Sequence, residues 1–237
     1  HCKTRRQRQM CIRDSHYTSR EEGTTNTKPL IITENTSTAP VVGTSYWTQV
    51  GTDIDGELQY DQSGYSVSLS SDGSIVAIGA YANDGTGTTA GHARIYQYSS
   101  GSWTQLGHDI DGELLYGQSG WSVSLSSDGS RVAIGANYND GTSGGESDNR
   151  GHVRIYEYRE YTSSDADTYH HTSREQGTTN TKPLIITAST STAPAVGTSY
   201  WTQVGTDIDG EAVDNLSGSS VSLSSNGTKV AIGAPYN

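Results

Sequence analysis

The chain has 237 residues, and its 26 acidic and 15 basic side chains give a net charge of −11 at pH 7. This charge argues against nucleic acid as a partner, and no apolar run approaches the ~20 residues of a membrane helix, so membrane insertion is not expected. Phenylalanine is absent, glycine occurs 28 times and only 31% of the residues are hydrophobic. This composition disfavours long helices and favours an all-β fold of short strands joined by tight turns.

Residues 1–15 differ from everything that follows them. They contain both cysteines, the only methionine and five of the fifteen basic residues. Within them, RRQRQMCIRDS at residues 5–15 resembles a translated sequencing adapter. We therefore expect residues 1–15 to be a non-native tail from an environmental sequence assembly. A genuine basic arm is the alternative.

Residues 16–46 form an insert or linker rich in threonine and serine. A second copy returns almost unchanged within residues 159–200. Most of each copy has the composition of a linker, while KPLIIT at residues 28–33 and 182–187 could add an edge strand. The near-identity of the two copies indicates a recent duplication or an assembly error.

From Trp47 onward the chain is built of repeats. The sequence SGYSVSLSSDGSIVAIGAYANDG at residues 63–85 returns at 119–141 and, in part, at 217–237. The alternation in SVSLS predicts a strand with Val67 and Leu69 on one buried face. SDG predicts a two-residue hairpin, VAIGA predicts the return strand, and GHARIYQY and WTQVGTDI predict two more strands.

Four short strands every ~50 residues, with glycine-rich turns, are typical of a β-propeller blade. We therefore predict an all-β fold of four-stranded antiparallel blades. Residues 47–158 would hold two blades, and residues 201–237 a closing strand and a partial third blade. A closed ring needs ~4–8 blades, so about two to three blades make an incomplete ring, and we expect a fragment. The second insert would lie between the third and fourth strands of its blade.

The segments SGYSVSLS, VAIGAY, NDG and GHVRIY resemble the FG-GAP repeats of integrin α-like propellers, particularly their bacterial and marine relatives. The resemblance covers most of residues 47–158 and 201–237, although Ser63-Gly64 stands where the family has Phe-Gly. It implies an extracellular propeller that acts in adhesion or ligand binding, with calcium loops in some blades. Those loops correspond to the SSDGS hairpin, whose one carboxylate is too few for the 6–8 oxygen ligands that calcium prefers.

The sequence DIDGE at residues 53–57, which we call the DIDGE motif, recurs at 109–113 and 207–211. Its acids could form a calcium loop, a catalytic pair or a solvated turn at a blade junction. With Asp61 the first copy has acids at positions 1, 3, 5 and 9, as in Asp-rich calcium loops, although its glycine is at position 4 and not 6. The second copy has Gly117 at the ninth position and is predicted not to bind. The candidate Ca²⁺ ligands are Asp53, Asp55, Glu57 and Asp61, and Asp207, Asp209, Glu211 and Asn215.

Paired carboxylates also serve glycoside hydrolysis, but one active site needs unique residues, whereas these acids recur in every repeat. The unique polar residues show no spacing of a catalytic triad or a zinc site; they are His108, His170, His171, Asp165 and Asp167. We therefore predict no catalytic residues and no enzyme. His92 and His152, which begin the third strand, are expected to form hydrogen bonds within the blade.

The tryptophans divide into a repeated set and a single residue. Trp47, Trp103 and Trp201 occupy the same place in each repeat, which favours packing in the core or between blades. Trp121 stands where the other repeats have Tyr65 and Ser219. Because it is not repeated, Trp121 is the candidate ligand contact.

These features predict a non-catalytic extracellular repeat protein that serves adhesion or is a protein/glycan interaction scaffold. The alternatives are a calcium-dependent carbohydrate-binding propeller and a fragment of a hydrolase with a propeller domain. The expected partner is a protein or glycan ligand on the cell surface or matrix. The expected location is secreted or at the cell surface, with neither signal nor anchor visible in the sequence.

Overall fold

The structure is a computed structural model that describes residues 31–32, 47–141, 148–162 and 195–237. The expected tail and most of both inserts therefore lie outside the described residues. The chain divides into two compact units. The first unit comprises His1–Asp53 and Ser100–Trp103, and the second comprises Ile54–Ser99 and Thr104–Asn237.

The described residues contain β-strands and turns and no α-helix, which confirms the all-β prediction. None of them forms a helix of the length and apolar character that crossing a membrane requires. In the first unit, strand β1 (Ile31–Ile32) pairs antiparallel with β2 (Trp47–Thr48). Strand β1 falls in the segment KPLIIT, for which an edge strand was suggested. The second copy of that segment lies outside the described residues.

The first full repeat forms a sheet in which consecutive strands are neighbours. Its order is β3-β4-β5-β6, and a short strand β7 also pairs with β5. The strands are β3 (Ser66–Leu69), β4 (Ile75–Ala80), β5 (His92–Ser99), β6 (Ser102–Gln105) and β7 (Ile110–Asp111). This is the strand order of a propeller blade, as the repeat pattern predicts.

The second repeat has the same topology, with β8, β9, β10 and β11 in order and β12 paired with β10. These strands are β8 (Ser119–Leu125), β9 (Arg131–Ala136), β10 (His152–Glu160), β11 (Ser199–Gln203) and β12 (Ile208–Asp209). The second insert falls between β10 and β11. The third repeat contributes one antiparallel pair, β13 (Ser220–Leu223) and β14 (Val230–Gly233).

Serine side chains of the SVSLS strands join each repeat to the next. The Oγ of Ser68 accepts a hydrogen bond from the backbone N–H of Leu125 at 2.9 Å, and the Oγ of Ser66 donates to the carbonyl of Gly120 at 2.7 Å. The equivalent bonds one repeat later join Ser124 to Leu223 at 2.9 Å and Ser122 to Gly218 at 2.7 Å. The serines of this strand therefore face the following repeat.

Glycine is required where two repeats approach most closely. Gly120 has a φ of +84°, and a side chain there would overlap the carbonyl of His92. A side chain at Gly79 would in turn overlap the backbone of Gly120. The glycines of SGxS and VAIGA thus permit backbone contact between neighbouring repeats.

The apolar face of SVSLS is buried in only one of the two complete repeats. Val123 and Leu125 of β8 belong to the core, whereas Val67 and Leu69 of β3 are 63% and 60% exposed. The prediction of a buried face is therefore wrong for β3. The serines on the other face of β3 bond to the next repeat, whereas the face with Val67 and Leu69 remains exposed.

The core lies between the two full sheets. At its edge, Trp201 of β11 is completely buried and packs against Tyr158, with ring centroids 5.2 Å apart. The core residues are Ile75, Ala77, Ala93, Ile95, Ile110, Val123, Leu125, Val132, Ile134, Tyr156 and Trp201.

The hairpin at Ser-Asp-Gly differs from the predicted two-residue turn. The backbone N–H of Ser126 bonds to the carbonyl of Arg131, which leaves a loop of residues 127–130, and within it only Gly129 has positive φ. The Asp128 carboxylate accepts hydrogen bonds from the Oγ of Ser126 at 2.6 Å and from the N–H and Oγ of Ser130 at 3.0 and 2.8 Å. These bonds lower the pKa of Asp128 below its ordinary value.

Replacing Asp128 with alanine is expected to lower the free energy of unfolding by about 0.5–1 kcal/mol, because the bonds are charge-assisted but close to solvent. Since the folded-state pKa is lowered, this stabilisation is present above pH 4 or so and is lost as the pH falls through the lowered pKa. Asp128→Asn is the matched control, because Asn226 accepts the same three bonds in the third repeat. Urea unfolding at pH 7 measures both variants, and equal losses would contradict the prediction.

Candidate functional site

The first aspartate of each DIDGE motif is held by a glutamine four residues earlier. In every copy the glutamine Nε2 donates a hydrogen bond to Oδ1 of the aspartate. The pairs are Gln49–Asp53 in the first unit, and Gln105–Asp109 and Gln203–Asp207 in the second, at 2.7, 2.6 and 2.7 Å. The glutamine thus fixes one carboxylate oxygen of each aspartate.

An arginine on the third strand of the first full repeat binds the first DIDGE motif. Arg94 of β5 donates through Nη2 to the backbone carbonyl of Asp55 at 2.9 Å, and its Nη1 lies 3.6 Å from Oε1 of Glu57. The Arg94 side chain is buried, while that of Glu57 is 43% exposed. The backbone of Asp55 and the carboxylate of Glu57 are therefore held by the sheet that follows them.

The second repeat has the same arrangement in a more buried setting. Arg154 of β10 donates to the carbonyl of Asp111 at 2.7 Å, and its Nη1 lies 3.3 Å from Oε1 of Glu113. The side chains of Arg154 and Glu113 are 1% and 9% exposed. Burial alone would lower the pKa of Arg154, but neighbouring groups that include Glu113 raise it above its ordinary value, so Arg154 stays charged.

A histidine lies between two successive copies of the motif. The Nδ1 of His92 is 3.9 Å from Oε2 of Glu57 and 3.9 Å from Oδ2 of Asp109, and the ligand atoms of the three residues all lie within 4.8 Å of one another. We call this group the first cluster. The His92 side chain is 2% exposed and its Nδ1 makes no hydrogen bond. Burial lowers the pKa of His92 and so favours the neutral imidazole.

The second cluster contains the equivalent residues Glu113, His152 and Asp207, whose ligand atoms also lie within 4.8 Å of one another. The second DIDGE copy therefore divides between two clusters. Its Asp109 belongs to the first and its Glu113 to the second. Each cluster combines the glutamate of one copy, the histidine of the third strand and the first aspartate of the next copy.

Asp111 lies in the second DIDGE copy between these two cluster residues. Burial, and then the charge of Asp109, raise the pKa of its carboxyl to about 6. Both effects disfavour the charged form of this carboxyl at the junction between the repeats.

Asp61 and Asn215 take part in hydrogen bonds within their own repeats. The Nδ2 of Asn83 donates to Oδ2 of Asp61 at 2.8 Å, and the Nδ2 of Asn215 donates to Oδ1 of Asn237 at 2.9 Å. Both Asp61 and Asn215 are buried. They join the segment after the motif to the loop after the second strand.

The predicted calcium ligands therefore have several different surroundings. Glu57 and Asp207 lie in the two clusters, while Oδ1 of Asp209 is 4.0 Å from Nδ1 of His152. Asp53 accepts a hydrogen bond from Gln49, and the carbonyls of Asp55 and Glu211 accept bonds from Arg94 and Arg150. A calcium ion held by one copy of the motif stays a prediction. The second copy, which was predicted not to bind calcium, is the one that contributes to both clusters.

Sequence reasoning missed the partners of the motif. His92 and Arg94 recur as His152 and Arg154, always as H-x-R at the start of the third strand. The recurrence of H-x-R together with D-x-x-x-E was a signal that the two segments meet. The sequence alone does not show that one motif serves two neighbouring histidines, because that depends on how successive sheets stack.

Trp121 lies in a group of aromatic rings that spans two repeats. Its ring centroid is 4.8 Å from that of Tyr65, 5.0 Å from Tyr81 and 6.5 Å from Tyr138. We call these four residues the aromatic surface. Tyr65 is 50% and Tyr138 is 39% exposed, while Trp121 and Tyr81 are partly buried. The residue predicted as a ligand contact thus has aromatic neighbours that sequence spacing did not reveal.

Residues 47–96 match the family model of the FG-GAP repeat. They are an FG-GAP repeat, which confirms over this span the resemblance seen in the sequence. The matched span includes the first DIDGE motif with His92 and Arg94, and it ends before Asp109. No curated protein matches the chain.

Proposed function

We propose that this chain, which carries an FG-GAP repeat at residues 47–96, is a non-catalytic extracellular scaffold that binds a glycan through its aromatic surface. The observation that carries the proposal is the packing of Tyr65, Tyr81, Trp121 and Tyr138 side by side with exposed ring area. Exposed aromatic groups of this kind are characteristic of interaction surfaces.

A sugar suits this surface because the rings meet at an angle. Tyr65 and Tyr81 are inclined at 68°, and Trp121 and Tyr138 at 66°, so the group presents both ring edges and ring faces. The C–H face of a pyranose packs on aromatic faces, and tyrosine hydroxyls can bond to its hydroxyl groups.

The surroundings of the acids support a role without catalysis. The first aspartate of each DIDGE motif accepts a hydrogen bond from a glutamine, and Glu57 and Glu113 lie against arginines. The same arrangement recurs in both full repeats, as expected for a structural junction and not for a single active site. The acidic net charge and the extracellular setting of FG-GAP repeats support a location outside the cell.

Replacing Trp121 with serine is expected to weaken glycan binding at least tenfold, because an aromatic contact of this size contributes ~1–2 kcal/mol or more. Serine is the residue of the third repeat at this place, so the fold should tolerate it. A glycan array with the full chain would identify the sugar, and calorimetry would then give the two affinities. Tyr236→Ser, which changes an exposed tyrosine outside the aromatic surface, is the matched control.

The same experiment tests the other functions. If binding were lost in EDTA and restored by calcium, the calcium-dependent carbohydrate-binding alternative would replace our proposal. If the sugar identified on the array were cleaved by the chain, the hydrolase alternative would replace our proposal. Array binding that Trp121→Ser leaves unchanged would place the glycan elsewhere and contradict the role of the aromatic surface.

A further inference from the structure

We propose that each of the two histidine clusters binds a divalent transition-metal ion of the Zn²⁺ class. Each ion would join the glutamate of one DIDGE motif and the first aspartate of the next to the histidine that begins the third strand of the sheet. In the first cluster the ligands would be Glu57, His92 and Asp109, and in the second Glu113, His152 and Asp207. This inference does not depend on the proposed function, because the aromatic surface shares none of these residues.

The distances in the first cluster suit a shared ion better than direct contacts. His92 Nδ1 is 3.9 Å from one oxygen of Glu57 and 3.9 Å from one oxygen of Asp109, beyond hydrogen-bond range. Two ligands of a tetrahedral Zn²⁺ with bonds of about 2.0–2.2 Å are separated by roughly 3.3–3.6 Å. Shifts of a few tenths of an ångström would therefore bring the three side chains onto one ion.

The orientation of His92 points to the same conclusion. Its side chain is almost fully buried, and its Nδ1 makes no hydrogen bond while facing two carboxylate oxygens. A buried polar atom without a partner is unfavourable and calls for an explanation. A metal ion between Nδ1 and the carboxylates would satisfy it with a neutral imidazole.

The carboxylates are also arranged as metal ligands are. Gln105 donates to Oδ1 of Asp109, which leaves Oδ2 facing His92. Arg94 lies at 3.6 Å from Oε1 of Glu57, which leaves Oε2 facing His92. In protein metal sites, groups of this kind hold the outer oxygen and orient the inner one toward the ion.

The ligand chemistry selects the class of ion. One imidazole nitrogen and two carboxylate oxygens are donors that suit zinc and similar transition metals, whereas calcium prefers six or more oxygen ligands.

The three ligands come from separate segments: Glu57 precedes β3, His92 begins β5 and Asp109 precedes β7. An ion bound there would join these segments, so its binding should stabilise the repeat.

The test is a calorimetric titration of the full chain with ZnCl₂ after removal of bound metal with EDTA. Cys2 and Cys11 are changed to serine in every variant, because thiols bind zinc independently. We expect micromolar or tighter binding, with one equivalent lost in His92→Ala and another in His152→Ala. His108→Ala, which removes an exposed histidine outside both clusters, should lose none.

If His92→Ala fails to fold, Glu57→Gln serves instead, since Glu57 is 43% exposed. It should weaken one equivalent at least tenfold and leave the other unchanged. The proposal is overturned if the chain binds no zinc in the micromolar range, or if the zinc stoichiometry is the same in both cluster variants and the parent. It is also overturned if calcium raises the temperature of the unfolding midpoint and zinc does not, since the chain would then prefer an oxygen-ligand ion over a transition metal.

Discussion

Replacing Trp201 with alanine is expected to lower the free energy of unfolding by about 3–5 kcal/mol. Trp201 is fully buried, its indole N–H donates to the carbonyl of Leu106 at 2.7 Å, and its ring packs on Tyr158. Alanine would open a large cavity at the edge of the core and leave the Leu106 carbonyl without this donor. Because Leu106 follows the last strand of the preceding sheet, the change would also weaken the contact between successive repeats.

Trp47 provides the matched control within the same chain. It occupies the same place in its repeat but is 80% exposed, so Trp47→Ala should change the free energy of unfolding by less than about 0.5 kcal/mol. Urea unfolding followed by circular dichroism at 218 nm or so measures both variants without relying on the tryptophan signal. Similar decreases in the free energy of unfolding for Trp47→Ala and Trp201→Ala would contradict the view that burial of the tryptophan determines its contribution to stability.

The three tryptophans show which part of the fold was accessible from the sequence. The repeat pattern predicted the strand order and the place of Trp201, because alternation, turn residues and repeat length report on local structure. It could not distinguish Trp47 from Trp201, since both lie in SYWTQVGTDIDGE. Their difference in burial depends on what packs against each, and that information is not local. Val67 and Val123 differ for the same reason.

The candidate sites divide in the same way. The sequence drew attention to the DIDGE motif because acids at regular spacing are visible in one segment. It placed each candidate set of ligands within one copy and predicted that the second copy does not bind, whereas the structure divides the second copy between His92 and His152, which lie in different strands. Trp121 was selected because it breaks the repeat. Its neighbours Tyr65 and Tyr81 belong to the preceding repeat, so their approach to Trp121 depends on how the two repeats pack and is not visible in local sequence.

Replacing Glu113 with alanine is expected to destabilise the protein by about 3 kcal/mol in EDTA, a loss in the range for removing one partner of a buried ion pair. Arg154 would keep its charge in a site where it is 1% exposed, and its closest carboxylate partner would be gone. Its bond to the carbonyl of Asp111 and its position 5.6 Å from the centre of the Tyr156 ring would remain. These contacts hold the guanidinium in place but do not neutralise it.

The first repeat offers the matched comparison, because Glu57 has the same relation to Arg94 but is 43% exposed. Water can replace Glu57 there, so Glu57→Ala should cost no more than about 1 kcal/mol. Combining Glu113→Ala with Arg154→Met should cost less than the sum of the two single changes by at least about 1 kcal/mol, because the charged partner is then absent. Equal costs at Glu57 and Glu113, or strict additivity in the double variant, would show that the exclusion of water from Glu113 does not make this pair important. A larger cost at Glu113 than at Glu57 would instead mean that the same motif contributes differently to stability in the two repeats. The contribution would then depend on whether the surrounding structure excludes water from the glutamate.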